Sequence, residues 1–273
     1  MKLINRASSC VLFALPFVAF GLGARPLHGL PGREIIGLVV FVLALACAWR
    51  LAGPALANGA SPSRTLAASG GLLLAPWVLI ALLWTGLGAP FQASTLENQH
   101  RYALLMVDAL LVGGGFMTLR DALRERGERF WSALGFAAAV PAGLLYLACI
   151  AITFAQATQV LGGDHTPVPP LFSHLYDVLE FFACCLTYLA TALMSTAMAA
   201  TALQRRLGAR IVAVLCLLIL VLLVLGGIEY PTISGQTAPW YTQPAVIVRI
   251  PAIPWVLPGL LGVVLLRAAG RTE

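Results

Sequence analysis

The residues most suited to chemistry in this sequence are acids and a histidine that lie in or beside long apolar segments. His174, Asp177 and Glu180 follow one another at intervals of three residues, which places each beside the next on a helical surface. Carboxylates and imidazoles exchange protons and bind metals, so the pattern predicts a proton relay or a metal site. The competing interpretation is a solvated helical extension, which is the simpler one for His174 and Asp177.

Asp108 is the most informative single residue, because it falls six places into a separate apolar segment. At 1.5 Å per residue it would lie about 9 Å below the start of that segment. Ionisable groups at such depth are costly and often functional. Asp108 or His100 is therefore expected to complete a catalytic set with Glu180, His174 and Asp177. In the structural alternative, Asp108 either stays protonated or satisfies a hydroxyl of a neighbouring helix, and the adjacent run of three glycines at 113–115 allows close packing.

A second group of residues at the same end is a candidate for binding a substrate: Glu97, His100, Arg101 and Arg249. Arg101 is expected to pair with Glu97, one helical turn away. Arg249 precedes three prolines between 251 and 258 that do not fit an unbroken helix, so this segment is a candidate wall for a polar pocket. Alternatively, Arg249 snorkels at the membrane interface and Trp255 belongs to an aromatic belt.

These candidates are carried by a chain that is too apolar for water. Of its 273 residues 60% are hydrophobic and 10% are charged, against about 25% charged in a soluble domain. The sequence predicts an all-α, polytopic membrane bundle in a single domain, 1–273. Eight apolar segments approach the ~20 residues that a spanning helix needs: 8–24, 35–52, 66–88, 102–119, 130–157, 172–203, 209–228 and 246–266.

The basic residues predict the orientation of the spans. With both ends in the cytoplasm, 13 of the 17 lysines and arginines fall on the cytoplasmic side, as the positive-inside rule requires. The short basic start before the first segment is also typical of a signal peptide, whose cleavage would leave seven spans. Every histidine and most acids within or beside the spans then lie on the outer side. The composition suggests a GC-rich bacterial source, and hence a bacterial inner membrane.

The sequence also excludes several functions. The arginines form no basic stripe interleaved with aromatic residues, so a nucleic-acid partner is not expected. No C-x-x-C motif, zinc spacing, P-loop, H-E-x-x-H, G-x-S-x-G or G-x-G-x-x-G occurs, and no cofactor is assigned. The six cysteines lie in apolar segments and are expected to act as small hydrophobic residues.

Three functions remain open. The first is an enzyme that acts on a lipid or quinone-like substrate at the outer leaflet, with the acids as proton donors, proton acceptors or metal ligands. The second is a proton-coupled transporter of a small solute, in which Asp108 and Glu180 exchange protons. The third is a non-catalytic subunit or scaffold. In each case the lipid bilayer is the one certain partner, and any protein partner is unknown.

Overall fold

The chain folds into an all-helical bundle. The computed structural model describes residues 2–24, 32–88, 90, 93–167, 169–227 and 253–271, and these contain no strand. We number the α-helices in chain order: α1 Lys2–Ala24, α2 Arg33–Asn58, α3 Ser61–Leu87, α4 Thr95–Glu125, α5 Phe130–Leu161, α6 Pro170–Ala200, α7 Arg206–Gly226 and α8 Val256–Ala269. A 3-10 turn, Ile253–Trp255, precedes α8.

Six of the described helices, α2 to α7, are long and apolar enough to cross a membrane. The prediction of a multi-pass helical membrane protein is therefore confirmed, and each of the eight predicted segments overlaps one helix. α8 has only 14 residues, because the prolines predicted to interrupt the last segment give a 3-10 turn before it. α4 begins earlier than predicted, because Ser94 and Glu97 form a capping box that starts the helix there.

The helix α3 is central, since it packs against α1, α2, α4 and α8. The remaining helices follow as neighbours in chain order, α4 on α5, α5 on α6 and α6 on α7. Small residues bring the backbones together: a Cβ atom at Gly262 of α8 would lie 2.6 Å from the carbonyl oxygen of Gly70 on α3. Close approach through small residues is how membrane helices gain packing energy in place of a hydrophobic driving force.

Contacts between helices show that successive helices run in opposite directions. The start of α2 lies beside the end of α3, where a Cβ at Gly37 would lie 3.2 Å from the backbone nitrogen of Gly86. The beginning of α1 and the end of α8 meet at one end of the bundle, where Arg6, Arg267 and Arg271 line a common cavity. We refer to this as the basic end and to the opposite one as the far end.

The helix α7 is peripheral. Its buried residues are Ala209, Cys216 and Leu223, which recur every seven residues and so form one narrow stripe along the helix. The other sides of α7 carry exposed leucine, valine and isoleucine side chains. The bilayer is the expected environment of these sides, as for any spanning helix that is apolar all round.

Candidate functional site

Glu180 is a buried carboxylate in the far half of α6, with only 2% of its surface exposed. The Tyr176 hydroxyl, one helical turn earlier, donates a hydrogen bond of 3.0 Å to its Oε1 atom. Burying a charged carboxylate is costly unless it is paired or hydrogen-bonded. This hydrogen bond therefore stabilises the position of Glu180 inside the bundle.

Two side chains of α5 lie near this carboxylate, and one of them contacts a cysteine of α6. Tyr146 and Cys149 of α5 interact electrostatically with Glu180, and the Tyr146 hydroxyl lies 3.3 Å from the Cys184 sulfur. We refer to Tyr146, Cys149, Tyr176, Glu180 and Cys184 as the Glu180 cluster. It is a group of proton-bearing side chains in the interior of a membrane bundle, which is where ionisable groups most often have a function.

Trp255 closes one side of the Glu180 cluster. Its ring packs edge-on against Tyr146, with 5.2 Å between the ring centroids, and it is 1% exposed. The interpretation of Trp255 as part of an interfacial aromatic belt is therefore wrong. The 3-10 turn directs the chain into the bundle here, and the indole Nε1 atom is buried without a hydrogen-bond partner among the described residues.

Asp108 is fully buried on the side of α4 that faces α3. Two contacts of α4 with α3, one before and one after Asp108 in the chain, establish this orientation. Arg101 donates a hydrogen bond of 2.6 Å to the Gly88 carbonyl oxygen, and Gly115 packs against Leu73 of α3. Neither carboxylate oxygen of Asp108 has a hydrogen-bond partner among the described residues. The expected contact with a neighbouring hydroxyl is absent there, so the bundle carries an unpaired acid.

Asp108 and the Glu180 cluster lie at similar depth but are not hydrogen-bonded to each other. A Cβ atom at Gly143 of α5 would lie 3.8 Å from the Ala109 carbonyl oxygen of α4, so Asp108 and Tyr146 are within about one helical turn in depth. The unpaired oxygens of Asp108 show that no hydrogen bond reaches Glu180. The two acids are therefore separate buried groups in one layer of the bundle.

The structure does not bring the predicted metal ligands together. His174 and His100 are exposed, Asp177 is half-buried and Glu180 is buried. Within the described part of the chain, no three histidine, cysteine, aspartate or glutamate side chains converge as a metal site would require. The metal-site interpretation of His174, Asp177 and Glu180 is therefore wrong, and Glu180 instead has Tyr176 as a partner.

Glu97 and Arg101 lie at the far end but do not form the expected pair. Arg33 of α2 contacts Glu97, with 2.7 Å between Nη2 and Oε1, and Glu97 also accepts the backbone N–H of Ser94. Arg101 donates instead to the Asn98 side chain, at 2.7 Å, and to Gly88. These partners make Glu97 and Arg101 structural links between helices. Arg249 lies outside the described residues.

A stripe of buried hydroxyls continues along α6 beyond Glu180, and those of Thr187 and Thr191 are satisfied within the helix. Thr187 donates to the Ala183 carbonyl oxygen and Thr191 to that of Thr187. Hydroxyls bonded to the preceding turn need no neighbouring helix or water. The stripe therefore gives no evidence for a continuous polar path through the bundle.

Sequence reasoning missed Tyr146, Cys149, Tyr176 and Trp255 as members of the site. The spacing of Tyr176 and Glu180, four residues apart, does allow a contact between them on one helix face. The other three come from α5 and from the turn before α8, and no local pattern joins them to Glu180. In comparisons with known proteins, no protein-family model, curated protein sequence or solved structure matches this chain.

Proposed function

We propose that this protein crosses a bacterial inner membrane eight times, with both ends in the cytoplasm, and acts as an enzyme on a lipid or quinone-like substrate through the Glu180 cluster. The observation that carries the proposal is the buried Glu180 carboxyl with its Tyr176 hydrogen bond. A substrate dissolved in the bilayer would have to enter between the helices, because Glu180 itself is only 2% exposed.

The chemistry of the cluster supports general acid–base catalysis. A protonated Glu180 donates its proton to a carbonyl or hydroxyl oxygen of the substrate, and the Tyr176 hydroxyl then donates its hydrogen bond to the resulting carboxylate. In the reverse direction the carboxylate accepts the proton. Trp255 and Tyr146 supply aromatic surfaces beside the acid, which suits a flat or apolar substrate.

The distribution of arginines supports the proposed orientation. Arg6, Arg267 and Arg271 meet at the basic end, and Arg205 lines a neighbouring cavity there. This end would lie in the cytoplasm under the positive-inside rule. Glu180 would then lie in the outer half of the membrane.

Binding of a quinone tests the enzyme proposal. The protein in nanodiscs is titrated with a decyl-chain benzoquinone while its tryptophan fluorescence is recorded, with Trp255→Phe to identify the signal from the site. Glu180→Gln is expected to weaken saturable quenching at least tenfold, and the exposed Glu34→Gln is expected to leave it unchanged. Quenching that does not saturate, or that is equal in both variants, would reject a quinone-like substrate. The same titration with a phospholipid that quenches tryptophan fluorescence tests the lipid class.

The proton-coupled transporter is a second candidate, because Asp108 is a second buried acid at similar depth. Proton flux into protein-containing liposomes separates the two candidates. Transport predicts that Asp108→Asn and Glu180→Gln both abolish solute-dependent proton uptake. An enzyme predicts no such uptake in the unmodified protein.

Cysteine labelling tests the orientation. In a background where the exposed Cys10 is replaced by serine, Glu125→Cys lies at the last residue of α4, beside the connection to α5, and His165→Cys lies between α5 and α6. A membrane-impermeant maleimide applied to intact spheroplasts is expected to label only the cysteine at 165. Labelling of only the cysteine at 125 would reverse the orientation.

A further inference from the structure

Four arginines line one cavity at the basic end, between α1, α8 and the start of α7. The cavity has a volume of about 580 Å³, and its basic residues are Arg6, Arg205, Arg267 and Arg271. They come from three separate parts of the chain, so the fold assembles the cluster. A smaller neighbouring cavity of about 390 Å³ shares three of them.

No described residue neutralises the positive charge of this cavity. The residues that line the cavity include no carboxylate, and none of the four arginines forms an ion pair within the described part of the chain. Arginines that line one cavity repel one another. An anion between them would remove that repulsion and would find several planar donors in place.

The wall of the cavity that faces the membrane interior is apolar. Phe13 of α1 and Val263 and Val264 of α8 form part of this wall. A basic rim above an apolar wall between membrane helices matches a ligand that has a charged head and a hydrocarbon chain. A soluble anion would contact only the arginines and would leave the apolar wall without a partner.

We propose that this cavity binds the phosphate head group of an anionic phospholipid, with an acyl chain against Phe13 and Val263. The site lies at the opposite end of the bundle from the Glu180 cluster and does not depend on its function. Positive-inside topology explains why arginines lie on this side. It does not explain why these four line one cavity when Arg50 and Arg64, at the same end, lie outside it.

Native mass spectrometry tests the proposal with matched charge changes. The full-length protein in a neutral detergent is titrated with phosphatidylglycerol, phosphatidylcholine or inorganic phosphate, and the bound adducts are counted. The variant Arg205→Gln/Arg267→Gln removes two arginines from the cavity. Arg50→Gln/Arg64→Gln removes the same charge from the same end outside the cavity.

We expect the unmodified protein to retain one phosphatidylglycerol molecule, and the cavity variant to bind it about 30-fold more weakly, or about 2 kcal/mol at about 1 kcal/mol for each arginine. The control variant should bind as the unmodified protein does. Equal losses in both variants, or equal retention of phosphatidylcholine, would overturn the proposal. Phosphate bound as tightly as the lipid would assign the site to a free anion. Elution volume and thermal midpoint without lipid verify that each variant is folded.

Discussion

Arg33 on α2 and Glu97 on α4 form an ion pair, with 2.7 Å between Nη2 and Oε1. Both side chains are only partly accessible to solvent, and Glu97 also belongs to the capping box that starts α4. The pair therefore links two helices that are not neighbours in the chain. The pair also holds the start of α4 in the position from which Arg101 donates its hydrogen bond to the Gly88 carbonyl oxygen.

A double-mutant cycle with Arg33→Gln and Glu97→Gln should give a coupling free energy of about 0.5–1 kcal/mol, because a partly shielded pair is stronger than an exposed one. Reversible unfolding in mixed micelles measures it. Arg33 also approaches Glu34, at 3.4 Å, but the Glu34 side chain is 67% exposed. The matched cycle for that pair should give a smaller value, and equal couplings would contradict this ranking.

The contact between Gly70 and Gly262 predicts that these positions do not accept a larger residue. A methyl group at Gly262 would overlap the α3 backbone, so Gly262→Ala should destabilise the bundle by about 1–3 kcal/mol. Gly71 is the control, because a Cβ atom there meets no atom within 4 Å. Gly71→Ala should leave the thermal midpoint unchanged or raise it. If Gly262→Ala leaves the thermal midpoint unchanged, α3 and α8 are packed less closely than this contact indicates.

The glycine run in α4 provides an independent test of the α3–α4 interface. A Cβ at Gly115 would lie 2.7 Å from the Leu73 side chain, whereas a Cβ at Gly113 meets nothing within 4 Å. Gly115→Ala should therefore lower stability by about 1 kcal/mol or more. Gly113→Ala should stabilise slightly through helix propensity. Thermal unfolding of the two variants in the same detergent compares them directly.

The unpaired carboxyl of Asp108 should reduce stability. Asp108→Asn removes the ionisable group at nearly constant volume, so the midpoint of thermal unfolding should stay the same or rise. Asp121→Asn, on the exposed surface of the same helix, should change it little. A marked loss of stability in Asp108→Asn alone would show that the carboxyl has a stabilising partner. Retained stability with lost activity would assign Asp108 a functional role.

The sequence predicted the helical bundle well, because the length and hydropathy of a membrane helix are local properties of the chain. Its errors came from interactions between distant residues. Arg101 and Glu97 are one turn apart, yet each found a better partner in another part of the chain, Gly88 and Arg33. Helix periodicity cannot rank such partners, because it contains no information about neighbouring helices.

The site was predicted in part for the same reason. Glu180 and Asp108 were identified because a buried acid is rare in an apolar segment whatever its surroundings. Trp255 was assigned to the membrane interface because aromatic residues near the end of an apolar segment usually lie there. Its burial against Tyr146 depends on the path of the turn before α8, and this path is set by tertiary packing.

The close packing of α8 against α3 affects the order of assembly. Among the described helices, α8 covers the surface of α3 that carries Gly70, although most of the chain separates the two helices. During synthesis, α3 must therefore enter the membrane well before its partner exists. Until α8 arrives, lipids or the insertion machinery must occupy that groove, and a ribosome paused before residue 253 would leave an incomplete bundle open to proteolysis.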